Sequence, residues 1–507
     1  MLRGFCPRPL DKRCTVSVTL KFWLYFSPFW VPIALMLTRR VPISMAALVA
    51  AIVSAALYWF SGRATDAATF SSAGIELLKG IWLATPIVSV ILAGLLFHSL
   101  LTTCWSPQVH GQQAAAPAAD LRLTLFGTCF LIGPFTETAT GFGVGLVVSL
   151  GILLRAGLPK HDAIVFSLFS QILVAWGAFA VGTMLGFSLA GISDPRELGW
   201  RSAVLVTPVL IAWLGAYWSM CRGLGLSNRP RDLIREALWI AAILVGLVTL
   251  SRYADPDMVG LIVLGGAAAL YGFVNGGQSL RAKLTEAAPY VVLCACLVAC
   301  RFLPVLHESL LRVQIKPFAD GMAWPVLLSP VFWLMLVGLG FALAKAPVRD
   351  VGRVLAMTWQ RGKITVGVTL LFVICARFMM AGGIPGILAH ELQATIGTAA
   401  AVILSPVLAA IAGFLTASNA ASNSLLMPNV VGLAHAGNWS VEWIAAIQNV
   451  TGSALSMLSP VRIMMGCAIA ALGAGATGAI YRRAWPLGFI PVVLMVGAAC
   501  IVVAVTH

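Results

Sequence analysis

Charge is what this sequence has least of. Asp and Glu number 18 and Lys and Arg 33 in 507 residues, so charged side chains make up 10% of the chain, against about 25% in a soluble domain. Hydrophobic residues make up 60%. So little polar surface cannot cover a water-facing globule of this length, and so much apolar sequence excludes a disordered chain. Paired cysteines are missing as well. The 11 Cys form no Cys-x-x-Cys, and the densest group, Cys294, Cys296 and Cys300, lies in the apolar run 291–302, where Cys serves as a small hydrophobe. That speaks against a metal site or a disulfide frame. Nucleotide and zinc motifs are lacking too. No GxxxxGK[ST] occurs, and His307-Glu308 and His390-Glu391 each begin an HExxH that ends in Leu311 or Ala394 instead of His. No cofactor is expected, and an enzyme or a channel remains only a remote alternative to the reading below.

What is present is long apolar sequence. A spanning helix needs about 20 apolar residues, and such segments run near 22–38, 41–60, 80–101, 121–156, 163–190, 202–221, 237–251, 258–274, 288–306, 323–344, 364–383, 395–418, 440–480 and 484–506. The fold class expected is an all-α polytopic membrane protein with about 12–14 transmembrane segments. Segments 121–156, 163–190 and 440–480 are too long for one crossing and carry Gly, Pro, Ser, Thr, Asn or Gln inside, which predicts broken helices or re-entrant hairpins. The formal charge of +15 reads as basic cytoplasmic loops beside anionic lipid, with no nucleic-acid partner. Arg222 to Arg235 and Lys345 to Lys363 are then cytoplasmic, and the turn with Asp255 and Asp257 lies outside. The N-terminal residues 1–21 read as a basic tail without a cleavage site, and the Arg39-Arg40 turn lies across the first span from it. The organisation expected is this tail, a first membrane half over 22–221, central spans and basic loops over 222–361, and a second membrane half over 362–507.

Polar residues at membrane depth are costly and mark function. Two stretches stand out, 133–145 (GPFTETATGFGVG) and 405–424, which contains GFLTASNAASNS from Gly413 to Ser424. Phe135 and Phe414 are 279 residues apart, and about 30 residues after each stretch comes another polar interruption, Ser170-Gln171 to Gly177 and Gln448-Asn449 to Gly452-Ser453. Corresponding interrupted segments in two related halves, such as inverted repeats, point to a transporter's midplane site.

These residues carry a family resemblance. The Phe-x-Glu-x-Ala-x-Gly-Phe-Gly pattern at 135–143, Gly-Phe-Leu-Thr-x-Ser-x-x-x-Ser-Asn at 413–423 and Asn-x-Thr-Gly-x-x-x-x-Met-x-Ser-Pro at 449–460 resemble the L-lactate permeases, bacterial secondary transporters. The resemblance implies a multi-pass inner-membrane protein that moves lactate, glycolate or a similar 2-hydroxy monocarboxylate by proton symport. Its fold would be similar to the hairpin-containing inverted repeats of the wider ion transporter superfamily. The chain departs from the family where Ala417 to Asn423 replace Gly-Ser-Asp-Thr-Ser-Ser-Asn and where Val461-Arg462 replace Gln-Ser after Pro460. The tract 377–383 also lacks the family's Asn-Tyr-Ser character. A carrier for another organic anion, a dicarboxylate or sulfonate, possibly Na⁺-coupled in place of H⁺-coupled, is the alternative, and a homo-oligomer is compatible with either.

Site candidates follow from the residues themselves. Glu137 is read as the only acid deep in apolar sequence. Burial disfavours the charged carboxylate, so Glu137 is either the carrier of the coupling proton or a cap and brace for the half-helix that follows it. Thr136, Thr138, Gly141, Gly143 and Gln171 in the first half, and Ser418, Asn419, Ser422, Asn423, Gln448, Asn449 and Thr451 in the second, offer hydrogen-bonding groups or close backbone approach to an anion. The bland counterpart is helix-to-helix glue. Arg377 and Arg462 are candidate carboxylate partners at positions where the family has neutral residues, whereas Arg301, near a span end, is read as snorkelling to the interface.

Overall fold

The computed structural model describes residues 23–37, 41–60, 69–105, 121–141, 143–226, 228–275, 280–319, 323–472 and 476–505. The basic tail 1–21 and the Arg39-Arg40 turn lie outside them. The described chain is helical apart from one antiparallel pairing of Gln314–Ile315 with Trp324–Pro325. In order, the helices are α1 (Ser27–Leu37), α2 (Ile43–Phe60), α3 (Thr69–Leu100), α4 (Leu121–Gly127), α5 (Gly133–Thr140), α6 (Val144–Arg155), α7 (Lys160–Ser167), α8 (Gly177–Ala190), α9 (Pro195–Gly223), α10 (Pro230–Leu250) and α11 (Pro256–Asn275). Then come α12 (Leu280–Phe302), α13 (Pro304–Leu311), α14 (Pro330–Leu343), α15 (Val348–Ala381), α16 (Ile384–Thr395), α17 (Thr398–Thr416), α18 (Asn419–Ala436), α19 (Val441–Ser456), α20 (Pro460–Ile469) and α21 (Thr477–Val505). Among the described residues, nine helices are long and apolar enough to cross a membrane, or eleven if each of two bent pairs is one span. The chain is therefore a polytopic all-α membrane protein.

The three over-long segments are broken, each in its own way. Segment 121–156 becomes α4, a π-helical stretch Thr128–Ile132, α5 and α6. Segment 163–190 becomes two helical pieces bent by 54°. Segment 440–480 holds α19 and α20, which part at Met457 to Ser459. The second-half interruption thus falls later than Gln448 to Ser453, which lie inside the unbroken helix α19. Helix α18 does not figure among the apolar segments read from sequence, because its first turns are polar.

Two helix pairs, α5 with α6 and α17 with α18, are helical hairpins. In the first, Gly145 of α6 lies back against Gly133 and Glu137 of α5, so close that a Cβ on Gly145 would sit 2.5 Å from the Gly133 carbonyl oxygen. In the second, the Ser422 hydroxyl of α18 donates to the Ala409 carbonyl of α17. Helix α9 supplies a ruler for their direction. The open end of the first hairpin, at Arg122, lies beside Trp218 and Asn228 at the C-terminal end of α9. The second hairpin opens at the other end of α9, where Trp443, just after the second hairpin's return leg, rests against Trp200. The hairpins thus enter from opposite ends, as expected of two inverted halves.

The first hairpin is anchored by a buried ion pair that the sequence reading overlooks. Arg122 is 4% and Glu236 1% exposed. The guanidinium donates from Nε and Nη2 to the two carboxylate oxygens at 2.9 Å each and from Nη1 to Asn228 Oδ1 at 2.8 Å. Trp218 Nε1 donates to Glu236 Oε2 at 2.7 Å. Glu137 is therefore not the only deeply buried acid. Glu236 falls in the second turn of α10, next to a basic loop, where sequence alone gives no sign of burial.

Removing one partner leaves the other charged and buried, a loss of about 3–5 kcal/mol. Glu236→Gln and Arg122→Met are each expected to lower the thermal unfolding midpoint of the purified protein strongly. The Arg122→Met/Glu236→Met double variant is expected to recover most of that loss.

Candidate functional site

The tips of the two hairpins define the site. At the first tip, Gly141 takes φ +74° and Gly143 φ +82°, a region in which Cβ-bearing residues are strained. Gly141 also has no room for a side chain, since a Cβ there would lie 2.4 Å from that of Ala178. Reversal of the chain exposes the N-terminal N–H groups of α6, and Glu137 reaches across to accept them. Gly143 N–H lies 3.1 Å from both carboxylate oxygens and Gly145 N–H 3.1 Å from Oε2. The carboxylate therefore caps the half-helix at its positive end, the brace anticipated for this residue.

At the second tip, Ala417 takes the left-handed conformation with φ +57°. Ser418 caps α18 by accepting from the Ala421 N–H. Between the tips stands Arg462, in the first turn of α20 behind its own cap, Ser459. Its Nη1 donates to Ser456 Oγ at 3.2 Å and its Nη2 to the Ala417 carbonyl at 3.3 Å, while Nη2 lies 3.9 Å from Glu137 Oε1. One buried guanidinium thus touches both tips. The small cavity there, about 40 Å³, is lined by Glu137, Gly141, Ser418, Asn419 and Arg462, with Gly177, Ala178 and Gly182 closing the side. It has room for about three water molecules.

The closing wall is the break in the first half's bent span. Ala178, Phe179 and Ala180 have φ of 49°, 56° and 53°, three successive L-residues in left-handed geometry, each at a cost of about 1–2 kcal/mol. Partners hold the wall in place. The Thr183 hydroxyl donates to the Ala175 carbonyl at 2.6 Å, and Asn423 Nδ2 donates to the Gly182 carbonyl at 2.9 Å. Asn449 is the hub. Its Oδ1 accepts from Asn419 Nδ2 and Asn423 Nδ2 at 2.9 Å each, and its Nδ2 donates to Thr183 Oγ1 and Ser202 Oγ at 3.0 Å each. Thr183 and Ser202 belong to this network although nothing in the sequence separates them from ordinary helix hydroxyls.

The structure thus brings together Glu137, Gly141, Gly143, Ser418, Asn419, Asn423, Asn449 and Arg462. Ser422 and Gln448 form a second layer, with Gln448 Nε2 donating to Ser422 Oγ at 3.3 Å. Other candidates lie apart. The hydroxyls of Thr136 and Thr451 donate to carbonyls of their own helices, Ile132 and Ile447. The Thr138 methyl packs where α11 passes at Gly260, and Gln171 donates to its neighbour Ser170. Arg377 is not at the tips. It pairs with Glu76 of α3, which also holds Lys79 at 3.5 Å. Arg301 does not snorkel but spans two carboxylates, Asp255 at 3.0 Å and Asp257 at 2.8 Å.

The family model for L-lactate permease matches residues 287–507. The L-lactate permease of Escherichia coli K12 is 23% identical over 186 residues, covering 36% of this chain and 31% of the relative. That of Salmonella typhimurium LT2 is 21% identical over 185 residues with the same coverage. The chain thus spans about a third of the length of the curated relatives it matches. Among solved structures, Neisseria gonorrhoeae MtrF, described with a class of antimetabolite efflux pumps, aligns over 94% of this chain and 97% of its own at 15% identity and a TM-score of 0.46. The Alcanivorax borkumensis YdaH transporter aligns over 94% and 99% at the same identity and TM-score.

Asn449→Ala would leave two amide donors, Thr183 and Ser202 short of their buried partner. Its expected effect is a loss of about 1–3 kcal/mol, seen as a lower unfolding midpoint of the purified protein. Thr451→Val removes only a hydroxyl that bonds back to its own helix and is expected to cost less than about 1 kcal/mol in the same measurement.

Proposed function

From a chain that these matches support as a divergent member of the L-lactate permease family, we propose a secondary active transporter of the bacterial inner membrane that moves a small 2-hydroxy monocarboxylate such as lactate or glycolate by proton symport. The observation that carries this reading is the meeting of two opposed hairpin tips around a buried Glu137 and Arg462. Charge balance sets the stoichiometry. The pair is neutral as a unit, and an isolated charge is costly to bury, so a monoanion is accommodated best together with one proton. When Glu137 takes that proton its hold on Arg462 weakens, and the guanidinium is free to bind the substrate carboxylate, for which its geometry is well suited. Brace and carrier are compatible roles, because a neutral carboxyl keeps an acceptor for the tip N–H groups. Asn419 and Ser418 stand beside the same cavity and supply hydrogen bonds for a 2-hydroxyl.

Alternating access then consists of parting the tips toward one end and closing them toward the other, around a fixed midplane site. A second reading, Na⁺ in place of H⁺ with another organic anion such as a dicarboxylate or sulfonate, is favoured by one observation. The buried amide oxygens Asn419 Oδ1, Asn423 Oδ1 and Gln448 Oε1 have no donor, and such oxygens suit a hard cation.

Radiolabelled lactate and glycolate uptake into reconstituted vesicles under imposed proton or Na⁺ gradients separates the two. Uphill uptake driven by the proton gradient alone is expected, and uptake driven only by Na⁺ would favour the second reading. Arg462→Gln is expected to raise KM about 10- to 100-fold, the loss of one charge-assisted bond. Glu137→Gln is expected to abolish proton-driven accumulation, and undiminished, pH-dependent uphill uptake by this variant would refute its role as the proton carrier. Arg377→Gln is expected to leave KM unchanged.

A further inference from the structure

On the far side of the left-handed wall lies a second cavity, about 240 Å³, that the midplane site does not use. Phe179 and Val181 of the broken span line it, and Val181 lines the midplane cavity as well, so one short stretch of backbone separates the two. Its surface is mostly apolar, with leucines, Pro86 and Met184, except where the joined Asp255, Asp257 and Arg301 line it; the indole of Trp324 also belongs to the lining. Beyond Arg301 is a third, polar hollow lined by Arg196, Tyr253, Asp255 and His307. The Arg301 triad is therefore a partition between a polar mouth and an apolar chamber that abuts the transport site.

Two polar atoms of residues that line this chamber are buried without partners. Asp257 Oδ1 accepts no hydrogen bond, and Trp324 Nε1 donates none. The Asp257 side chain is only 8% exposed, and such an orphan is expensive unless something bonds to it. An acceptor, an indole donor and a guanidinium beside an apolar chamber match a small carboxylic acid with a short hydrocarbon body.

We infer that this chamber is a second carboxylate-binding station, and that a proton on Asp257 is what opens it to the substrate. The inference rests on the organic-acid reading of the midplane site. With Asp255 and Asp257 both ionised, the triad carries a net negative charge and Arg301 is fully engaged, so an anion is turned away. Proton uptake by Asp257 from water breaks its ion pair with Arg301 and supplies an O–H donor. The freed Nη2 then binds the incoming carboxylate, with Trp324 Nε1 donating to its second oxygen. One proton and one anion are loaded together, and neither is left alone in apolar surroundings. The groups facing Asp257 are Asp255 and Arg301, with Arg196, Tyr253 and His307 on the side of the mouth. Arg196 is itself paired with Asp194.

Infrared difference spectroscopy on purified protein in lipid vesicles tests this directly. At a fixed, mildly acidic pH, lactate is expected to increase the protonated-carboxyl band of Asp257 about twofold, because ligand and proton favour one another. That band should vanish in Asp257→Asn and move in frequency in Asp257→Glu, and lactate should leave it unchanged in Arg301→Gln. The increase should persist in Arg462→Gln, whose midplane site is disabled. No Asp257-dependent increase with lactate, acetate or succinate would overturn the inference, as would an increase that survives in Asp257→Asn or Arg301→Gln. Lactate uptake without the band change would leave the proposed function standing and remove the second station. The band change without lactate uptake would do the reverse.

Discussion

A chain that leaves the helical path inside apolar surroundings must find partners for every N–H and C=O group it frees, because lipid offers none. This constraint governs the middle of the molecule. The chain breaks at three places close to one another, the tip with Gly141 and Gly143, the tip at Ala417 and the left-handed turn 178–180, and each break is paired with the others or with a side chain beside them. Glu137 accepts the N–H groups freed at the first tip. Arg462 donates to the carbonyl freed at the second. Asn423 and Thr183 bond to carbonyls on either side of the turn. Without these partners the hairpins would be held only by weak packing between apolar surfaces, for which lipid competes on equal terms.

Small residues make this pairing possible. A Cβ on Gly413 would lie 2.1 Å from the Gly452 carbonyl oxygen, and one on Gly182 would lie 2.7 Å from Asn419 Nδ2. The elements therefore approach to backbone contact, and short polar side chains such as Ser, Thr and Asn suffice to cross the remaining gap. The same closeness leaves each of these hydrogen bonds in apolar surroundings, where a broken one is costly.

Much of this site was legible in the sequence because polar residues are so scarce in it. The stretches 133–145 and 413–424 stand out against apolar flanks, and the structure brings their tips together. Arg462 was visible as a cation directly after a Ser-Pro break. Arg377 looked equivalent, yet its partner Glu76 lies 301 residues away on α3, a pairing that no local pattern encodes. Asp257 reads from sequence as part of an outside turn, and Glu236 gives no signal of burial at all. Both sit within a turn or two of charged loops, where exposure is the natural expectation, and helix packing buried them. The interruption expected at Gln448 to Ser453 is not a break: Gln448 and Asn449 bond across to α8, α9 and α18, Thr451 and Ser453 bond back to carbonyls of their own helix, and α19 stays intact.

By itself the sequence determined the solvent in which this protein folds, the helical class that the solvent imposes, and the two stretches where helix must fail, since composition and local polarity act over a few residues. Tertiary structure alone decided which charges are paired. These ion pairs join residues from 44 to 301 or more positions apart, and their energies depend on distances of a few ångströms that only the packed helices set. The scarcity of charge that opens the sequence is thus resolved in space. Of the ion pairs, one ties the first hairpin to its neighbours, one joins the two tips, and one stands as a partition before the chamber beside them.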